Sequence, residues 1–144
     1  MASIKHTWQL AHSPAAVWEA LTTPDMIAKW LMETTDFKPV VGQEFMFHTK
    51  PIPQVDFDGK VYCKVTEAKP LEKLSYSWKG GNGPMALDTE VHWTLVNKDN
   101  GTELTLEHAG FDEMKNAFAI QSMGEGWSNM VPKAMVPLLE KMNK

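Results

Sequence analysis

The strongest constraint on this chain is a mismatch between many strands with one apolar face and a single helix able to cover them. Near the C-terminus Trp127, Met130, Val131, Ala134, Met135, Leu138 and Met142 recur at spacings of three and four, which is one continuous helical face. Upstream the period is two. Ile4, His6, Trp8 and Leu10 alternate with Lys5, Thr7 and Gln9. The same alternation returns at Phe45 to Thr49, at Phe57 to Ala68, around Leu74, Tyr76 and Trp78, through Val91, Trp93 and Leu95, and through Leu104, Leu106 and His108. Each such strand has one face to bury. The sheet therefore has to wrap around the terminal helix.

Local signals place the remaining elements. Ser13 and Pro14 suit the start of a helix whose Val17, Trp18 and Leu21 share a face. Thr23-Pro24-Asp25 repeats the start signal before Met26, Ile27, Trp30 and Leu31. Val40-Val41-Gly42 reads as a bend, Lys50-Pro51-Ile52-Pro53 as a loop, Lys69-Pro70 as a turn and Gly80–Pro84 as a flexible loop. Lys98-Asp99-Asn100-Gly101 is a hairpin turn signal. From about Asp112 the chain reads as helical, in two stretches separated near Gly124 and Gly126. A proline inside a helix costs about 3 kcal/mol and bends it, so Pro132 predicts a bend in one long C-terminal helix. The expected fold is α+β: six antiparallel strands curved around that helix, with two short helices after the first strand.

Composition narrows the function. A chain of 144 residues predicts one domain over 1–144. Fourteen Lys and no Arg against 18 acidic residues leave a net charge of −4, a poor match for nucleic acid. The lone Cys63 excludes an internal disulfide and a multi-cysteine metal site, and one unpaired thiol suits a reducing, cytoplasmic setting. Lys5, His6 and Gln9 break the N-terminal segment, so it has no signal-peptide core, and no apolar run is long enough to span a bilayer. The five histidines lack metal-ligand spacing, no phosphate cradle follows Gly80–Gly83, and no cofactor is expected. Acidic Asp112, Glu113 and Glu125 favour the dipole of the last helix.

The run SPAAVWEALTTPDMIAKWL over 13–31 resembles the helix pair of the SRPBCC superfamily, also called START-like or birch-pollen-allergen-like. Within it, the likeness is to proteins similar to the activator of the 90-kDa heat-shock-protein ATPase. Phe37-Lys38-Pro39-Val40-Val41-Gly42-Gln43-Glu44-Phe45 continues the resemblance, as do Gly59, Glu67, Pro70, Leu74, Tyr76 and Trp78. Gly101-Thr102 with Leu104, Leu106 and His108, and then Gly126-Trp127, complete it. The resemblance implies a helix-grip fold, in which a curved sheet encloses a cavity against the last helix. Proteins of this kind include ligand binders, polyketide cyclases, lipid carriers and co-chaperones. No family catalytic motif transfers onto particular positions here.

Candidate site residues follow from strand parity. A turn at Asn100-Gly101 pairs Trp93 with His108, whereas a turn at Asp99-Asn100 pairs Val91 with His108. Both registers put His108 on the apolar face and His92 on the other. A buried imidazole has its pKa lowered and stays neutral; it either meets a ligand or bonds to a neighbour. Tyr76 points the same way, and its hydroxyl needs a partner. Phe45, Phe47, Trp78, Trp93, Trp127, Met130 and Met135 would line the space between sheet and helix, as ligand wall or as core. Cys63 shares the inward parity of Val61 and Val65 and reads as inert core. The leading expectation is a small hydrophobic ligand, lipid-like or aromatic, held in that space and oriented by His108 and Tyr76. Two alternatives stand beside it: a modulator of a heat-shock-protein ATPase acting through its surface, and a cyclase-like enzyme using the cavity. Oligomeric state is not legible in the sequence.

Overall fold

The computed structural model describes residues 2–53, 57–81 and 86–142. Strand β1 (Ala2–Leu10) leads into helices α1 (Pro14–Thr22) and α2 (Pro24–Trp30). Then come β2 (Glu33–Thr35), β3 (Glu44–His48), β4 (Lys60–Lys69), β5 (Lys73–Gly80), β6 (Leu87–Lys98) and β7 (Gly101–Phe111). The chain closes with α3 (Ala117–Met130), a π-helical turn (Val131–Met135) and α4 (Val136–Met142).

The strands form one antiparallel sheet in the order β1-β7-β6-β5-β4-β3-β2. Among the described residues it has seven strands where the alternation predicted six. The additional strand is Glu33-Thr34-Thr35, too short and too polar to register as a period-two run. Of the predicted Gly80–Pro84 loop, residues 82–84 lie outside the described residues.

The N-terminal helix pair starts where its signals lie, with a side-chain cap on the first helix and none on the second. Ser13 Oγ accepts from the Ala16 N–H at 3.2 Å, and prolines occupy the first position of both helices, where no backbone donor is needed. Val17, Leu21, Met26, Ile27 and Trp30 are buried. The Trp30 indole donates to the Ala20 carbonyl at 2.8 Å and meets Trp93 edge-on, tying the helices to each other and to the sheet.

The β6–β7 hairpin resolves its two possible registers. Lys98 pairs with Gly101, so Asp99 and Asn100 form a two-residue loop, both with positive φ (52° and 62°). Such a primed turn matches the twist of the strands it joins. Val91 consequently faces His108, with Trp93 opposite Leu106. Gly101 is required sterically, because a Cβ there would lie 2.0 Å from the Leu10 carbonyl oxygen.

The C-terminal helix departs from expectation in one respect. Helix α3 runs through both Gly124 and Gly126, and the break lies downstream. His6 Nε2 holds the Gly124 carbonyl at 3.0 Å from β1, and Trp127 is buried beyond it, so tertiary contacts carry the helix past its weak residues. Pro132 then brings the predicted irregularity as a π turn, in which the Val136 N–H reaches the Val131 carbonyl five residues back. Trp127, Val131, Met135 and Leu139 are the residues buried along this stretch. A strict spacing of four drifts by ~40° per step around a 3.6-residue helix. One wider turn reverses that drift, which is why Leu139 rather than Leu138 reaches the core.

Candidate functional site

Strand parity and the last helix bring the sequence-predicted residues into one aromatic cluster. Phe45 meets Phe47 and Tyr76 at ring-centroid distances of 5.4 and 5.3 Å. Phe47 meets Trp78 at 5.3 Å, and Trp78 in turn meets His108 at 5.3 Å and Trp127 at 5.7 Å. Trp93 closes the set against Trp127 at 5.6 Å. Most of these contacts are edge-to-face or tilted, the arrangement that aromatic quadrupoles favour. Met135 is fully buried, whereas Met130 is half-buried at the margin.

His108 is fully buried, and both of its ring nitrogens are engaged. The Trp127 indole N–H lies 3.1 Å from Nδ1, and Thr89 Oγ1 lies 2.7 Å from Nε2. An indole only donates, so Nδ1 is the acceptor and the imidazole proton sits on Nε2, donated to Thr89. Thr89 Oγ1 passes its own proton to the Trp78 carbonyl at 3.1 Å. The indole of α3, the imidazole of β7, the hydroxyl of β6 and the carbonyl of β5 thus form one directed chain. Burial, with a smaller push from His92, lowers the His108 pKa to about 3 and keeps the ring neutral.

Tyr76 is also spoken for in part: its Oη accepts from the Trp93 indole at 3.0 Å, and burial pushes the phenol above its usual range. Cys63 is a buried free thiol whose pKa burial raises well above normal. On the opposite face of the sheet, Ser75 Oγ bonds His92 Nδ1 at 2.8 Å, and Glu90 lies 3.6 Å from Nε2. This Ser-His-Glu line lacks an accessible nucleophile, since Ser75 is 1% exposed. No three of His, Cys, Asp or Glu converge on a possible metal position among the described residues. Asp112 Oδ1 accepts the backbone N–H groups of Lys115 and Met114 at 2.9 and 3.0 Å, which draws its pKa down and shapes the turn before α3.

The open space lies to one side of this cluster. A half-enclosed, predominantly apolar pocket of about 200 Å³ separates the sheet from the first half of α3. Its walls are Met32, Ile52, Phe57, Val61 and Leu87 from the sheet side, and Phe118, Ala119 and Met123 from the helix. Trp78 forms its inner wall and is the one candidate ligand residue that lines it. The same ring contacts His108 on the other side, so one indole separates pocket from imidazole. Thr49, Lys115, Asn116 and Ser122 supply polar groups around the space. Alternation did point Val61 inward. Phe118 and Met123 went unrecognised because α3 buries only Trp127 completely and carries no clean apolar stripe.

The family of activator of Hsp90 ATPase homolog 1-like proteins matches residues 11–140. The chain belongs to that family. This activator-homologue-like chain is similar over 99% of its length to 99% of a crystallised protein from Mesorhizobium loti, with 30% identity and a TM-score of 0.85. It also resembles a Bacillus halodurans protein at 26% identity, covering 91% of each chain with a TM-score of 0.71. A dimeric Aha1 from Colwellia psychrerythraea shares the fold at 23% identity, again over 91% of each chain, with a TM-score of 0.74. None of the curated proteins matches the chain. These likenesses agree with the helix-grip arrangement of the activator-homologue-like chain. No helix among its described residues is long and apolar enough to cross a membrane.

Proposed function

We propose that this protein is a one-domain binder of a small hydrophobic molecule, seated between the open end of the sheet and the first half of α3. The observation that carries the reading is the apolar pocket walled by Trp78, Phe57, Met123 and their neighbours. Ligand sites are mostly apolar, with a few polar groups, as here. The His108 chain supports binding over cyclase-like turnover, because the imidazole has both nitrogens committed to Trp127 and Thr89. In this reading His108 and Tyr76 stiffen the wall behind Trp78 and do not touch ligand. A heat-shock-protein ATPase modulator remains the reading that the family's description supplies. An ATPase assay with the cognate chaperone, with and without this protein, tests that alternative.

Methyl-labelled methionine reads the pocket directly. Titration with small aromatics and short acyl compounds is expected to shift the Met32 and Met123 methyl signals and leave fully buried Met135 in place. Absence of any shift at Met32 and Met123 across the panel would sink the binder reading.

A further inference from the structure

The pocket's size and its single charge narrow the ligand class, an inference that rests on the binding role above. An apolar protein cavity of roughly 150 Å³ accepts one benzene ring, whereas drug-sized ligands occupy roughly 300–1,000 Å³. A half-enclosed space of about 200 Å³ therefore suits one ring with a short tail. Among the described lining residues Lys115 alone is charged, and its ammonium makes no ion pair there. Asp112, whose carboxylate feels the Lys115 charge, has its Oδ1 held by the backbone N–H groups of Lys115 and Met114. Asn116 and Ser122 also belong to the lining, while Trp78 and Phe57 keep the interior apolar. A lysine on the lining of a one-ring apolar space, with no ion pair to a described residue, complements a molecule that is aromatic at one end and anionic at the other.

We infer that the pocket takes a small aryl-alkanoate: the ring packs against Trp78 and Phe57, and the carboxylate lies at Lys115. The experiment is a calorimetric titration of the whole protein with three isosteric probes, 3-phenylpropionate, 3-phenylpropan-1-ol and 3-phenylpropylamine, repeated on Lys115→Gln. Lys115 is exposed, so the substitution leaves the fold intact. In the unaltered protein the acid is expected to bind roughly twofold to fivefold more tightly than the alcohol, with the amine weakest, a size typical of a solvent-accessible ion pair. That gap should shrink in Lys115→Gln and at high salt. Equal affinity of acid and alcohol, or an unchanged gap in Lys115→Gln, overturns the charge assignment and leaves the apolar binder standing. If none of the three binds, the aryl-alkanoate assignment falls, and the binder reading is decided by the methionine titration.

Discussion

At the level of single residues, His108 connects stability to pH. An unfolded histidine takes up its proton near 6.5, whereas the folded imidazole does so only near 3. Between those values the unfolded chain binds more protons. The contribution of the neutral ring is therefore complete above about pH 6.5 and is lost as pH falls toward 3. Its size is of order a few kcal/mol. Urea midpoints measured from pH 7 down to pH 4 should fall accordingly, and nitrogen NMR should show the Nε2-protonated neutral tautomer of His108 throughout. A ring titrating near its ordinary pKa would contradict the closed chain. Thr89→Val keeps the shape of that side chain and orphans the imidazole N–H. It is expected to cost about 1–3 kcal/mol in urea unfolding, with Thr89→Ser recovering most of the loss. Equal stability of the valine and serine variants would show that the hydroxyl does not serve as acceptor.

Among the elements, α3 is the one whose own sequence opposes its structure. Gly124 and Gly126 lie in the helix interior, and a Cβ added at either meets nothing within 4 Å. Each glycine costs about 0.5–1 kcal/mol relative to alanine. Gly124→Ala with Gly126→Ala is therefore expected to raise stability by about 1–2 kcal/mol, read as a higher urea midpoint. A fall would mean that the helix needs freedom at these positions. Gly101 is the contrasting case, since its Cβ would strike the Leu10 carbonyl oxygen. Gly101→Ala should lower stability by about 1–3 kcal/mol, as overpacking does, and disturb the β1–β7 pairing first. Hydrogen exchange along β1 would register that loss.

For the molecule as a whole, sheet and helix are held by an aromatic interior, and a space between them stays open toward the first half of α3. A ligand in that space bridges sheet and helix, so it should stabilise the entire fold. At a hundred times its Kd the gain is about 2.7 kcal/mol, which for a chain of this size raises Tm by roughly 5–10 °C. Thermal melts in 3-phenylpropionate should move by that amount. A Tm indifferent to a ligand shown to bind would mean that the unfolded chain binds it as well as the folded one, which a pocket built by the fold does not allow.

Much of this architecture was legible because its causes are local. Ser13 caps its own helix, Asp99-Asn100 closes its own hairpin, and alternation in β7 puts His108 on the apolar face whichever of two registers forms. Periodicity settles which face a side chain takes. What stands opposite that face depends on segments far along the chain: Thr89 and Trp127, each 19 residues from His108, took both imidazole nitrogens. The three-residue edge strand β2 and the π turn around Pro132 likewise express how neighbouring elements meet rather than any repeating pattern. Least legible was the pocket, because a void is the volume left over after every side chain has packed, and that remainder is set by all of them together.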